Sequence, residues 1–185
     1  MSVRSKRLQF LDLSHNDAAS LFRLCSGCIY WEFPELFDKR PSKDAMRLMK
    51  EKWLAEHSSG SALGKVGRVG KNLAGFIQYG PPEMYPRRLE YRSGPVSGDA
   101  ILITCLFVAE PYRGQGIARQ MISLAEQAAA RDYGCSALEA FARKNSIDNP
   151  SGPVELYLGC GFRILRDDEE FPLVRKTSQV RRHHM

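Results

Sequence analysis

The hexapeptide Arg113-Gly114-Gln115-Gly116-Ile117-Ala118 stands between a strand-like run, Ala100-Ile101-Leu102-Ile103-Thr104-Cys105-Leu106-Phe107-Val108, and a helix-like run from Ile117 to Tyr133. A glycine turn that opens a helix is an anion site. Without Cβ atoms the backbone comes close to a ligand, and the unpaired N–H groups at the positive end of the helix face it. The chemistry predicted here is phosphate binding, yet two common phosphate loops do not fit. A nucleotide P-loop needs GxxxxGK(S/T), which the chain lacks, and a dinucleotide fingerprint needs a third small residue where Arg119 stands. A second cluster, Cys25-Ser26-Gly27-Cys28, has CxxC spacing. Zinc would need another close pair of ligands, and His15, His57, His183 and His184 are scattered. A redox role wants the pair at a helix N-terminus, whereas it follows the helical pattern Ala18, Leu21, Phe22, Leu24. The pair reads as ordinary thiols near a helix end, with a metal or redox protein as the minor alternative.

The glycine turn resembles the pyrophosphate-binding loop of the GNAT superfamily of N-acetyltransferases, whose pattern is Arg/Gln-x-x-Gly-x-Gly/Ala after a strand and at a helix start. Arg113, Gly116 and Ala118 occupy its defined positions. A later stretch, Leu156-Tyr157-Leu158-Gly159-Cys160-Gly161-Phe162, resembles the family's LYxxxGF segment, in the right order. The resemblance is strong over residues 100–165 and compatible with the rest. It implies an α/β (α+β) GNAT fold: a mixed, mostly antiparallel central sheet of about six to seven strands flanked by helices, with splayed fourth and fifth strands.

The same resemblance implies acetyl-CoA as co-substrate and direct transfer of acetyl to a primary amine of a small molecule or peptide in a ternary complex. The backbone of Arg113, Gly114, Gln115, Gly116, Ile117 and Ala118 would cradle the pyrophosphate, with the Arg113 side chain organising the loop or reaching a phosphate. Leu106, Phe107 and Val108 would offer backbone groups to pantetheine, and an N–H near Val108 would polarise the thioester carbonyl, a term worth ~3 kcal/mol. Tyr157 matches the position that protonates the departing thiolate, and a phenol of pKa ~10 stays protonated at neutral pH for that task. Gly161 and Phe162 read as structural. For the general base the residues leave two acids level, Glu139 on the expected fifth strand and Glu32 in the aromatic segment Tyr30-Trp31-Glu32; Glu110 reads as an exposed acid beyond the strand end. Cys105 reads as packing, because transfer is direct and an apolar setting disfavours thiolate. A rival within the resemblance is a module that binds CoA without catalysis.

At 185 residues and 43% hydrophobic, the chain is long enough for one sizeable core. The expected division is a single domain over residues 1–176 and a basic, flexible tail over 177–185, in which His183-His184-Met185 stands last. The net charge of +6 looks like a nucleic-acid signal until it is located. Seven of the 27 cations fall in residues 1–7 and 175–185, which hold no acid, so residues 8–174 carry 20 cations against 21 anions. A neutral body predicts no specific nucleic-acid partner. No apolar run approaches the ~20 residues of a membrane span, and an odd number of cysteines, five, favours reduced thiols. The expectation is a cytoplasmic monomer or homodimer with no membrane partner.

Along the chain, Leu8–Leu13 alternates as a strand, and Ser14-His15-Asn16-Asp17 offers caps for a helix to about Cys25. The aromatic run from Ile29 to Phe37, broken by Pro34, predicts an irregular connection. Ser42-Lys43-Asp44 introduces an amphipathic helix with Ala45, Leu48, Met49, Lys52 and Trp53 at helical spacing. Lys65–Val69 and Asn72–Tyr79 predict strands joined at Gly70-Lys71, followed by a Pro- and Gly-rich loop over residues 80–98 of the kind that binds ligands. Strands follow at residues 100–108, 136–142, 162–165 and 171–175, and helices at 117–133, capped at Gly134, and 154–158.

Overall fold

Apolar and polar residues alternate along Leu8–Asp12, which forms the edge strand β1 and pairs antiparallel with Gly64–Val69 (β2). β2 turns into Asn72–Gly80 (β3), and β3 pairs antiparallel with Ala100–Val108 (β4). The chain then crosses over through a long helix, so that Ala137–Phe141 (β5) lies parallel to β4. Arg163–Arg166 (β6) and Leu173–Thr177 (β7) finish the sheet, with β7 inserted antiparallel between β5 and β6. The computed structural model describes residues 7–22, 25–57, 61–146 and 148–178, and among these the sheet has seven strands in the order β1-β2-β3-β4-β5-β7-β6. Helices Pro34–Asp38 (α1), Lys43–His57 (α2), Ile117–Asp132 (α3) and Val154–Gly159 (α4) flank it.

The sheet is covered on both faces. α3 lays Met121, Ile122, Ala125, Ala128 and Ala129 onto one face, against Ile101, Ile103, Leu138 and Ala140. On the other, Trp53 and Leu54 of α2 pack with Leu13, Trp31, Phe76, Tyr85, Leu102 and Phe141. β4 feeds both cores, which is why its sequence is almost unbroken in apolar residues. Each fully buried Leu or Ile contributes ~1.5–3 kcal/mol, so these strands hold the frame on which the site is built.

Four expectations are corrected. No helix runs on from Ser14: the Ser14 N–H and hydroxyl both bond the Asp17 carboxylate, at 3.0 and 2.7 Å, and a single 3-10 turn, His15–Asp17, follows. The Ser20 and Ser26 hydroxyls then take the carbonyls of Asp17 and Ala19, so side chains compete with the helical ladder; Arg23 and Leu24 lie outside the described residues. The supposed break at Pro34 is the start of α1, since proline at a first helical position loses only an N–H that would be unpaired anyway. α2 is rotated from the expected face: Leu48 is 61% exposed while Lys50 is buried beside Trp53 and Leu54. Finally, the last strand, expected at 171–175, is Leu173–Thr177, so that Thr177, assigned to the tail, pairs with Ala137 inside the sheet, while Arg175 and Lys176 form ion pairs with Asp99 and Glu126; 179–185 lie outside the described residues. No helix among the described residues is long and apolar enough to cross a membrane.

Candidate active site

The site begins with an irregularity in β4. Gln78 on β3 faces Cys105 while the next residue, Tyr79, faces Ile103, which leaves Thr104 as the extra residue of a β-bulge. A bulge flips the alternation and bends the strand. Ile103 and Leu106 therefore share the α3 face, and Cys105 and Phe107 the α2 face. The β4–β5 ladder ends at Ile103 and Ala140, and beyond it β4 runs on to Val108 paired with β3 alone. The backbone so exposed has two directions. Ala109 donates its N–H to Ala74 at 2.9 Å, and Phe107, two residues back and paired with Phe76, is turned the same way. Leu106 and Val108 address the opening: the Leu106 N–H donates to the Pro150 carbonyl at 2.7 Å, and the Val108 carbonyl accepts from Arg113 Nε at 3.0 Å. Of the three residues expected to serve pantetheine, the structure brings Leu106 and Val108 to the opening and gives the backbone of Phe107 to β3.

The phosphate loop closes one end of this opening. Gly114 and Gly116 both adopt φ 75°, the left-handed region, where any L side chain is strained. A Cβ on either would meet no atom within 4 Å, so the requirement is conformational and the space beyond is open. Gly116 caps α3 without a side-chain hydrogen bond, and the first turn holds no acid, which leaves its N–H groups and dipole uncompensated. Arg113 bridges the loop to the far wall, donating to Asp148 Oδ1 at 2.8 Å, and Arg119 donates to the Gly159 carbonyl at 2.8 Å. Gln115 folds back to the Pro111 carbonyl at 3.2 Å, and Ile117 and Ala118 begin the helix. The resulting cleft, about 390 Å³, runs from Gly114 and Gly116 along Leu106 and Val108 to Pro153 and Leu156 on the α4 side.

Behind the segment Asn149-Pro150-Ser151 lies a second cavity of about 320 Å³, lined by Tyr30, Trp31, Tyr91 and Phe171 and by Cys25, Cys28 and Cys105. Burial pushes the Cys25 thiol up to about 12 and raises Cys28 and Cys105 as well, so all three stay protonated near neutrality. Among the described residues no group of three His, Cys, Asp or Glu is placed to hold a metal ion. Tyr157 lines neither cavity but reaches the segment that separates them. It is fully buried, its hydroxyl donates to the Ser151 carbonyl at 2.9 Å, and burial raises its pKa, so the phenol is held neutral. Gly152, at φ 80°, makes room for the ring: a Cβ there would lie 3.0 Å from Tyr157 Cε2.

The two candidate bases part company. Glu139 pairs with Leu102 on the joined half of β4 and β5; it is wholly buried, and Arg175 Nη1 at 2.7 Å and the Ser97 N–H at 2.8 Å take its two oxygens. It lines neither cavity. Glu32 is buried on the α2 side, where Oε1 accepts from Lys50 Nζ at 2.5 Å and Gln78 Nε2 at 2.7 Å, while Oε2 has no partner among the described residues. Lys50 completes the triangle by donating to Gln78 Oε1 at 2.7 Å, and Glu32 interacts electrostatically with Cys28 and Cys105 of the second cavity. Sequence reasoning missed Lys50, Gln78 and Pro150. Only Lys50 carried a signal, a cation three and four residues before Trp53 and Leu54 on what proves to be the buried stripe.

Comparison with known proteins places this geometry. The model of the acetyltransferase (GNAT) family matches residues 27–162. The fold is similar to PaiA N-acetyltransferase from Thermoplasma acidophilum, solved with coenzyme A, at TM-score 0.56 and 14% identity over 92% of this chain and 99% of that one. It is similar as well to Arabidopsis thaliana NAA60 with acetyl-CoA, at TM-score 0.56 and 17% identity over 92% and 99% of the chains. For YncA from Salmonella typhimurium with acetyl-CoA the figures are 0.57 and 13%, over 97% and 98%. The search of curated proteins gives no significant match. With a family model spanning most of its length and a seven-stranded sheet that opens beside a glycine-capped helix, the chain belongs to the GNAT acetyltransferase family.

Proposed function

We propose that the protein transfers acetyl from acetyl-CoA to a primary amine by direct attack in a ternary complex. The observation that carries this reading is the convergence, in one cleft, of the unpaired β4 edge and the open N-terminus of α3. The amides from Gly114 to Ala118 hold the pyrophosphate, the Arg113 N–H being taken by the Glu110 carbonyl, and the Arg113 side chain exchanges Asp148 for a phosphate oxygen. Pantetheine takes strand-like bonds at Val108 and Leu106, and the Leu106 N–H, now held by Pro150, polarises the thioester carbonyl. The amine nitrogen attacks that carbonyl, the C–N bond forms and the C–S bond breaks. The departing thiolate takes a proton from Tyr157, and the amine gives one up by way of water to Glu32, which lies behind the lining, in electrostatic contact with Cys28 and Cys105 of the second cavity, and keeps Oε2 uncommitted. The coenzyme A and acetyl-CoA complexes of the similar folds support the choice of donor.

A second reading, CoA binding without catalysis, is favoured by two contacts, Pro150 on the Leu106 N–H and Ser151 on the Tyr157 hydroxyl, which occupy the two groups catalysis would use. One experiment separates the readings. Calorimetry measures CoA binding, and thiol release from acetyl-CoA is followed over a panel of small amines and peptides. Binding with amine-dependent thiol release supports transfer; binding with none across the panel supports the second reading; absence of binding sinks both.

A further inference from the structure

Transfer needs an acceptor site across Pro150 from the donor cleft, and the second cavity stands there. Resting on the acetyl-transfer reading, we propose that this cavity takes a primary amine carried on a short stem that ends in an aromatic ring. Its lining holds no carboxylate, lysine or arginine, only rings, thiols and the segment Asn149-Pro150-Ser151. The rings are locked by one another. Trp31 stacks on Tyr91 at 5.3 Å and 9°, Tyr91 stacks on Phe141 at 4.3 Å, and Phe171 meets Tyr91 edge-on at 5.3 Å. Arg87 caps the Tyr30 ring at 4.5 Å and is itself tied to the carbonyls of Tyr30 and Pro34 and to Asp38 and Glu90. A wall fixed in this way is preformed, so an aromatic guest gains stacking and edge contacts without first ordering the site.

The way in selects for charge. A second, more open chamber of about 330 Å³ shares Tyr30, Tyr91 and Phe171 with the inner one and adds Glu90, Asp168, Glu169 and Glu170 against a single cation, Arg92. Glu90 and Glu170 are partly neutralised by Arg87 and Arg143, but among the described residues Glu169 has no ion-pair partner. An ammonium is drawn to this mouth and gives its proton to water there, and the neutral amine moves on, because the inner wall offers nothing to balance a cation. The amine leads toward Pro150 and Cys105, beside the bulged part of β4, and the ring follows to lie among Tyr30, Tyr91 and Phe171. The hydroxyls of Tyr30 and Tyr91, 3.1 Å apart, offer a polar contact for a substituent on that ring.

The test is binding first, turnover second. Into the protein saturated with CoA, 2-phenylethylamine, tyramine, spermidine and tetrapeptides beginning with Ala or Phe are titrated, read by calorimetry and by the combined fluorescence of Trp31 and Trp53. The two aromatic amines should bind at least ten-fold tighter than spermidine and the Ala peptide, and kcat/KM should rank the same way. Phe171→Ala should weaken 2-phenylethylamine by about ten-fold with CoA affinity unchanged, and the milder Glu169→Gln should slow its capture at low salt only. Equal or tighter binding of spermidine or the Ala peptide overturns the proposal, and preference for the Phe peptide over both amines replaces it with a peptide terminus. These outcomes stand apart from the acetyl-transfer reading, which fails where CoA does not bind or where no amine in the panel releases thiol.

Discussion

Replacing Gly116 with alanine separates backbone strain from ligand contact, provided Gly134→Ala is measured beside it. The two glycines bracket α3, have φ of 75° and 62°, and would each place a Cβ with no atom within 4 Å. Forcing a non-glycine residue into the left-handed region costs about 1–2 kcal/mol at either end. At ~2–4 °C per kcal/mol for a domain of this size, each variant should lose about 2–8 °C in Tm. CoA binding should part them completely. The Cβ at Gly116 stands where the first amides of α3 face the cleft, so calorimetry should show a loss of at least about ten-fold in Kd, or ~1.4 kcal/mol, and a larger one for Gly116→Val. Gly134→Ala, at the opposite end of the helix, should bind CoA as the wild type does. Equal CoA affinity in the two alanine variants, each with its expected drop in Tm, would refute the assignment of the α3 N-terminus as the phosphate site.

Three further outcomes are expected. Tyr157→Phe should lower turnover by ~10²-fold or more and, by leaving the Ser151 carbonyl unpaired, cost about 1–3 kcal/mol in denaturant titration; normal turnover with reduced stability would make the hydroxyl purely structural. Cys25, raised by burial from the ordinary thiol value to about 12, holds about a thousand-fold less thiolate than an exposed cysteine, so peptide-mapped alkylation at pH 8 should be about 10³-fold slower in folded than in denatured protein; comparable rates would mean an open thiol. The Arg175 guanidinium and the Ser136 hydroxyl hold Asp99 well below the usual carboxylate range. A depressed carboxylate contributes stability above its unfolded value near pH ~4, lost as pH falls through the lower folded value. Because the Asp99 side chain is 51% exposed, that contribution stays near ~1 kcal/mol or less. The wild type should therefore lose stability more steeply than Asp99→Asn on acidification from pH 5 to 2, and parallel curves would show the pair to be idle.

What the sequence made legible was whatever a local rule dictates. Glycines that need a left-handed backbone mark the phosphate loop wherever they fall, and a run apolar on both faces marks β4. The site's second half obeys no such rule. The bulge at Thr104 is invisible in Ile103-Thr104-Cys105-Leu106, because one extra residue in an apolar run leaves the composition unchanged while it decides that Cys105 faces the aromatic cavity and Leu106 the cofactor cleft. The role of Pro150 is likewise unreadable, since the carbonyl that meets Leu106 belongs to a residue 44 positions later, brought back only by the turn from β5 into α4.

Glu32 and Glu139 show most plainly why residue type cannot stand in for topology. Both are glutamates in apolar stretches, both are buried, and both have a cation within 2.7 Å. Glu139 lies on the half of β5 that still holds β4, so its surroundings are sheet, and Arg175 and Ser97 fill its two oxygens as a static brace. Glu32 precedes α1 on the side where β4 has already left its partner, and a single oxygen carries both of its bonds. A buried carboxylate with an unused oxygen costs stability unless something else draws on it. Lys50 offsets the charge but leaves that oxygen open, and in the proposed mechanism it is this oxygen that receives the proton of the amine.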